Sequence, residues 1–288
     1  MKRELLACIV CATATVGFAP GASSQEAPPL PTDVPIWAVG GDEVDGRRLR
    51  PYDRAPFTIG RTDKEGPLDV GETVRAAAIQ TMSLLADHRG GRDVWVRSFE
   101  MARAGDPTVL ASGEIVMDRR TLAPISSTLR QGESTSAIEY DWDGREIRAT
   151  GADVQPVDRT MLEAAAHETW VGAIDWSAVA RARIPAVLAG GGGAWWAVPR
   201  VVGREDVELG DGARREAFVI EMDWWSMDPS DATFTPGGGA NGTAGTGGKY
   251  WVLVDPPEGM PPVVRIQTEV DATMDNVVEH RPEHGMSD

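Results

Sequence analysis

At 288 residues the chain is long enough for one large or two small domains and for a sizeable buried core. Acidic residues number 44 against 28 basic ones, a net charge of −16, so the basic face that a phosphate backbone or an anionic bilayer requires is missing and nucleic acid is excluded as a partner. A hydrophobic content of 42% excludes a chain too polar to fold.

The first 24 residues read as an address. Lys2 and Arg3 precede an apolar run, Leu5 to Phe18, that is too short to span a bilayer, and Ala22-Ser23-Ser24 offers small residues for cleavage. The expectation is a Sec-type signal peptide over residues 1–24 and an exported protein, periplasmic or extracellular. Both cysteines, Cys8 and Cys11, fall in this leader, so the mature chain is expected to hold no disulfide, thiol nucleophile or thiolate metal site. No later run approaches 18 apolar residues, and no transmembrane segment is expected in the mature chain.

Residues 25–69 read as a Pro-rich linker followed by an irregular arm, with one strand around Pro56 to Ile59. Residues 70–275 read as a β-rich domain. Short β-rich runs alternate with turn signals at Arg89-Gly90-Gly91-Arg92, Asp118-Arg119-Arg120-Thr121, Gln131-Gly132 and Trp142-Asp143-Gly144, the pattern of an antiparallel meander. In the run Gly113 to Asp118, Ile115 and Met117 share one face and Glu114 and Val116 the other, and Pro124 belongs at the start of the next strand. "DRTMLEAAAHETW" and "DWSAVARARIP", within residues 158–185, are predicted as helices capped by Asp158 and Asp175. Strands then resume, with a hairpin at Asp211-Gly212. The glycine-rich segment 236–248 is predicted as a loop, and Val264, Ile266, Thr268 and Val270 alternate with Arg265, Gln267 and Glu269 in the last strand. Residues 276–288 are predicted to be a polar tail. The expected fold is β-dominated α+β: a curved antiparallel sheet or open β-barrel of about eight to ten strands with one or two short helices packed against it.

The order of these parts, with "DRRTLAP" at Asp118 to Pro124, "DWS" at Asp175 to Ser177, "YWV" at Tyr250 to Val252 and "VVRI" at Val263 to Ile266, resembles a bacterial family known as the domain of unknown function 3108. The resemblance covers roughly residues 70–272. It implies an exported curved sheet shaped like the periplasmic lipoprotein carriers and supplies no catalytic residues. The glycine-rich loop and the N-terminal arm depart from it.

Motifs for chemistry are missing. His167-Glu168 lacks the second histidine of a zinc helix, and His280 and His284 fall in the expected tail, so neither metal nor cofactor is predicted. There is no G-x-S-x-G elbow, and "GTGGK" at Gly245 to Lys249 has no following helix to complete a phosphate loop. The acids beside tryptophan, Asp141, Asp143, Asp223 and Asp228, read as turn acids. An enzyme is therefore not favoured. The unusual feature is ten tryptophans against five phenylalanines and three tyrosines. Adjacent residues of a strand face opposite ways, so one member each of Trp195/Trp196 and Trp224/Trp225 should point away from the core. Trp195, Trp196, Trp224, Trp225 and Trp251 are the candidate ligand-binding residues. The expected function is a non-enzymatic binding or carrier protein of the cell envelope holding an apolar small molecule, lipid or acyl chain. The alternatives are a carbohydrate-binding or glycan-active protein stacking sugars on exposed tryptophan, and an envelope structural or assembly protein with a protein partner along a sheet edge.

Overall fold

The computed structural model describes residues 30–63, 75–188, 193–209, 212–227, 234–235, 248–269 and 274–281. The signal peptide expected over 1–24 and the loop over 236–247 lie outside them.

Among the described residues sixteen strands form one sheet. In chain order they are β1 (Tyr52–Asp63), β2 (Arg75–Arg89), β3 (Arg92–Arg103), β4 (Val109–Asp118), β5 (Pro124–Gln131), β6 (Ser134–Asp141), β7 (Glu146–Ala149), β8 (Gln155–Pro156), β9 (Leu162–Glu163), β10 (Ile184–Leu188), β11 (Gly193–Glu208), β12 (Arg214–Ser226), β13 (Phe234–Thr235), β14 (Gly248–Leu253), β15 (Val263–Glu269) and β16 (Met274–His280). The spatial order is β8-β7-β6-β5-β4-β3-β2-β1-β16-β15-β14-β12-β11-β10-β9, with β13 beside β12. Every pairing is antiparallel except β9 with β10. The β-dominated, curved antiparallel architecture expected from the alternation is thus present, with more strands than the eight to ten anticipated. One short helix, α1 (His167–Gly172), completes it, with 3-10 turns at Gly46–Arg48 and Ala164–Ala166. No helix among the described residues is long and apolar enough to cross a membrane.

The meander follows its turn chemistry. Gly90 and Gly91 take φ of 57° and 79°, the left-handed pair that a two-residue hairpin between β2 and β3 requires. Ile115 and Met117 enter the core, Val116 packs on the other face with Val94 and Val96, and Pro124 opens β5, where no ladder donor is needed.

The sheet curls until its two ends meet. The end strands β8 and β9 are two residues each, and the chain passes directly from one to the other. Around that junction Tyr140, Ile147, Val157, Met161 and Val187 form one buried cluster. The Tyr140 hydroxyl donates to the Glu163 carboxylate across the seam. Side chains, not a backbone ladder, close the barrel, and the short edges leave little for a further strand to pair with.

Inside, the barrel is filled by its own chain. Phe57, Leu84, Trp95, Met117, Ile220 and Tyr250 from the sheet meet Trp170 and Val171 of α1, and Trp37, Val44 and Leu49 of the arm. The arm seals one end: Trp95 Nε1 donates to the Gly46 carbonyl at 2.9 Å, and a Cβ on Gly46 would lie 2.2 Å from the Arg119 carbonyl oxygen. A buried tryptophan removes 150–250 Å² from water, roughly 4–6 kcal/mol at 25 cal/mol/Å² before entropy is counted.

Four expectations are corrected. First, the arm assigned to 25–69 contains β1, which lies centrally between β2 and β16. Pro56 fits there because the β16 register ends at Phe57 opposite His280. Its carbonyl then accepts from Arg281 N at 3.0 Å. Second, the tail expected from Asn276 starts inside β16, and Glu279 and His280 are buried, not solvated. Third, of the first predicted helix only α1 and a 3-10 turn form, because Leu162 and Glu163 pair with Ala186 and Val187. Fourth, the second does not form. Asp175 Oδ1 accepts from Ser177 N and Oγ in a single turn, and beyond it the chain runs extended beside β11, with Ala182, Ile184 and Ala186 entering the interior cluster at every second position where a helix would need a period of 3.6.

In β15 a register shift at Trp251/Val252 leaves Val263 facing the interior and Val264 the exterior. From Arg265 onward the expected alternation holds, with Ile266 inside and Arg265 outside.

Candidate functional site

The five tryptophans named from the sequence divide by strand parity. Trp224 points inward, 1% exposed, its ring 6.3 Å from Trp170 in an edge-to-face contact. Trp195 packs against the same core. Trp196 and Trp225 are cross-strand partners on the outer face. Trp225 is buried there, and the half-buried Trp196 ring carries the guanidinium carbons of Arg159 and Arg183 at 5.5 and 5.6 Å. Trp251 lies in a satellite cluster of the outer face with Leu209, Val219 and Leu253. Its Nε1 donates to Glu205 Oε2 at 3.0 Å and Arg265 stands 4.9 Å over its ring. These indoles are engaged by the protein's own groups, so no bare aromatic platform for a sugar is formed by them. Of the acids beside tryptophan, Asp141 is a turn acid, accepting from Gly144 N at 2.8 Å, and Asp228 lies outside the described residues.

Two polar features stand out, and neither was singled out from the sequence. The first is interior. Arg97 of β3 and Glu168 in the first turn of α1 form an ion pair, Nε to Oε1 2.6 Å, with side chains 4% and 7% exposed. His167 precedes Glu168, its ring edge-on to Tyr250 at 5.4 Å and its Nδ1 3.0 Å from the Ala164 carbonyl, to which it donates. Burial holds the His167 imidazole below its ordinary value, against the opposing pull of Glu168. Burial likewise pushes the Tyr52 and Tyr250 phenols up. The cluster ties α1 to the sheet.

The second is a trough on the outer face of β1–β6, a cleft of about 600 Å³. Strand alternation that sends Met82, Arg97, Phe99 and Ile115 inward sends hydroxyl and charged side chains outward. Register then aligns them in two rows across the strands. One runs Ser83, Ser98, Glu114, Thr128, and the other Thr81, Glu100, Ser112, Arg130, Thr135. An adjoining cleft of about 310 Å³ shares Glu100, Ser112 and Arg130, and another of about 540 Å³ shares Asp53.

At the β1 end the backbone is strained. Arg54 takes φ 52° at a bulge between Tyr52 and Ala55. Its N–H donates to Ser83 Oγ at 2.9 Å, and that hydroxyl donates to Asp53 Oδ1 at 2.7 Å. Left-handed backbone at a residue with a side chain costs of order 1–3 kcal/mol and gathers at functional positions. In the middle, Glu114 is held by Arg89 at 2.7 Å. The side chains of Glu100 and Arg130, both exposed, make no hydrogen bond or ion pair with any described residue. Among the described residues the lining is hydroxyl-rich and charged, and none of its serines has a histidine in the lining beside it.

No family model matches the chain, and no curated protein matches it. Membership in the domain of unknown function 3108 is therefore not shown; what the structure has in common with that expectation is the curved antiparallel sheet. Two solved structures align with most of the chain. A β-barrel-like protein of the domain of unknown function DUF1849 from Brucella abortus is 6% identical, with a TM-score of 0.42 over 80% of this chain and 98% of its own. A protein from Parabacteroides distasonis, described as a putative lipoprotein, is 10% identical, with a TM-score of 0.34 over 83% of this chain and 99% of its own. At these scores neither carries an inference about this chain.

Proposed function

We propose that the chain is an exported, non-enzymatic binding protein of the bacterial cell envelope that holds a polar ligand in the trough across β1–β6. The carrying observation is where open volume lies. The barrel interior that an acyl chain would need is occupied by Trp37, Trp170, Trp176 and Trp224, whereas the 600 Å³ trough is open and lined by hydroxyl and charged groups. A lipid inside the barrel would have to displace α1 and break the Arg97–Glu168 pair. The leader-like first 24 residues support export. The sheet-edge assembly reading is weaker, because both edge strands are two residues long.

Isothermal titration of the mature protein with peptide, oligosaccharide and fatty-acid panels tests this. Saturable heat is expected from a polar probe, and is lost on filling the trough with Ser112→Trp. Saturable fatty-acid binding that survives Ser112→Trp would return the ligand to the interior and defeat the reading.

A further inference from the structure

Resting on that reading, we infer that the trough selects a zwitterionic ligand, a short extended peptide with both termini free, spanning Glu100 and Arg130. In the second row Glu100 of β3 faces Ser112 of β4, and Ser112 faces Arg130 of β5, so the two charges flank one central strand. Two strand spacings separate their Cα atoms, roughly 10 Å at 4.8 Å each. An extended peptide advances roughly 3.3–3.6 Å per residue, so a tripeptide places its ammonium at one end and its carboxylate at the other of such a span.

The charges are available because nothing in the described structure takes them. The neighbouring acids are engaged, Glu114 by Arg89 and Asp53 by the Ser83 hydroxyl. Glu100 remains as acceptor for an ammonium, and Arg130 as the two-pronged donor for a carboxylate. Between them Ser112 and the Ser98 and Thr128 hydroxyls of the adjoining row can each donate or accept, as amide groups require. A ligand with one charge would satisfy one end and leave the other unmet, so the pair discriminates zwitterions from simple anions and cations.

The test is titration calorimetry of the full mature protein at low salt with tri-alanine, N-acetyl-tri-alanine, tri-alanine amide and a neutral disaccharide. Tri-alanine is expected to bind saturably, and capping either end to weaken it roughly ten- to hundredfold, the effect of one charge-assisted contact. Glu100→Gln should remove the penalty for acetylation only, and Arg130→Gln the penalty for amidation only. Both residues are exposed, so these variants keep the fold. Equal binding of free and capped peptides, or of the disaccharide in place of tri-alanine, would overturn the zwitterion assignment and leave the polar-ligand reading standing. Fatty-acid binding with no polar probe bound would overturn both.

Discussion

Glu168 and Glu100 lie on the two faces of the same sheet region and carry the same charge in opposite circumstances. Glu168 is buried and met at 2.6 Å by Arg97, itself packed against Met82 and Phe99. Glu100 stands exposed in a cleft with Arg130 two strands away and no partner among the described residues. A buried ion pair is satisfied in the folded chain, and its loss is felt as instability. An exposed, unmatched pair costs the fold nothing and leaves its interaction energy for a ligand. The interior cluster is scaffold and the trough is the surface on which recognition can act.

The sharpest way to break this contrast is Arg97→Ala. It strands Glu168 in the core, and a loss of about 3–5 kcal/mol is expected. Urea unfolding followed by tryptophan fluorescence reads it directly, since Trp170 lies in α1 and Trp224 packs against it. Replacing both partners, Arg97→Met with Glu168→Leu, should recover most of the loss, because no charge is then left buried. A single variant as stable as the parent would mean that the interior pair is hydrated, and the distinction between the two regions would fail.

What the sequence made legible follows from range. Alternation within one strand is local, so Ile115 and Met117 against Glu114 and Val116 were readable, as were the turn at Gly90-Gly91 and Pro124 at a strand start. Features decided by a distant partner were not. The strand around Pro56 was readable only as part of an irregular arm, its central place depending on β16, and Val277 to His280 read as tail because their burial depends on β1 and β15. The Ala-rich run to Pro185 has helical propensity, but β11 and the arm offer it a ladder. Tryptophan excess marked a large core, with the indoles meeting the protein's own groups. The trough left a trace in β3, β4 and β5, a polar pair two residues apart at Ser98/Glu100, Ser112/Glu114 and Thr128/Arg130. Only the register of four hairpins turns those traces into rows.

A smaller effect sharpens the contrast through pH. Burial depresses the His167 pKa, so the folded state holds the ring neutral where the unfolded chain, with a value of about 6.5, begins to protonate. Above that pH His167 adds no slope. As pH falls through it toward the lower folded value the unfolded state binds more protons, and stability declines. Urea midpoints measured at about pH 7.5, 6.5 and 5.5, a range that brackets the unfolded value, should therefore fall more steeply for the parent than for His167→Gln. Parallel curves would place the imidazole in contact with solvent.

The smallest expected effect is the most discriminating. Glu100→Gln and Arg130→Gln, singly or together, should shift unfolding by no more than about 0.5 kcal/mol, the range of surface substitutions away from any cap, core or network. Their effect belongs entirely to binding. If the double variant instead unfolded as early as Arg97→Ala, the trough charges would have to be paired across Ser112 in solution, and they would be scaffold too. An unchanged midpoint together with lost discrimination between free and capped tri-alanine separates the two regions on one barrel. The interior charge pair then reports through stability alone, and the trough pair through affinity alone.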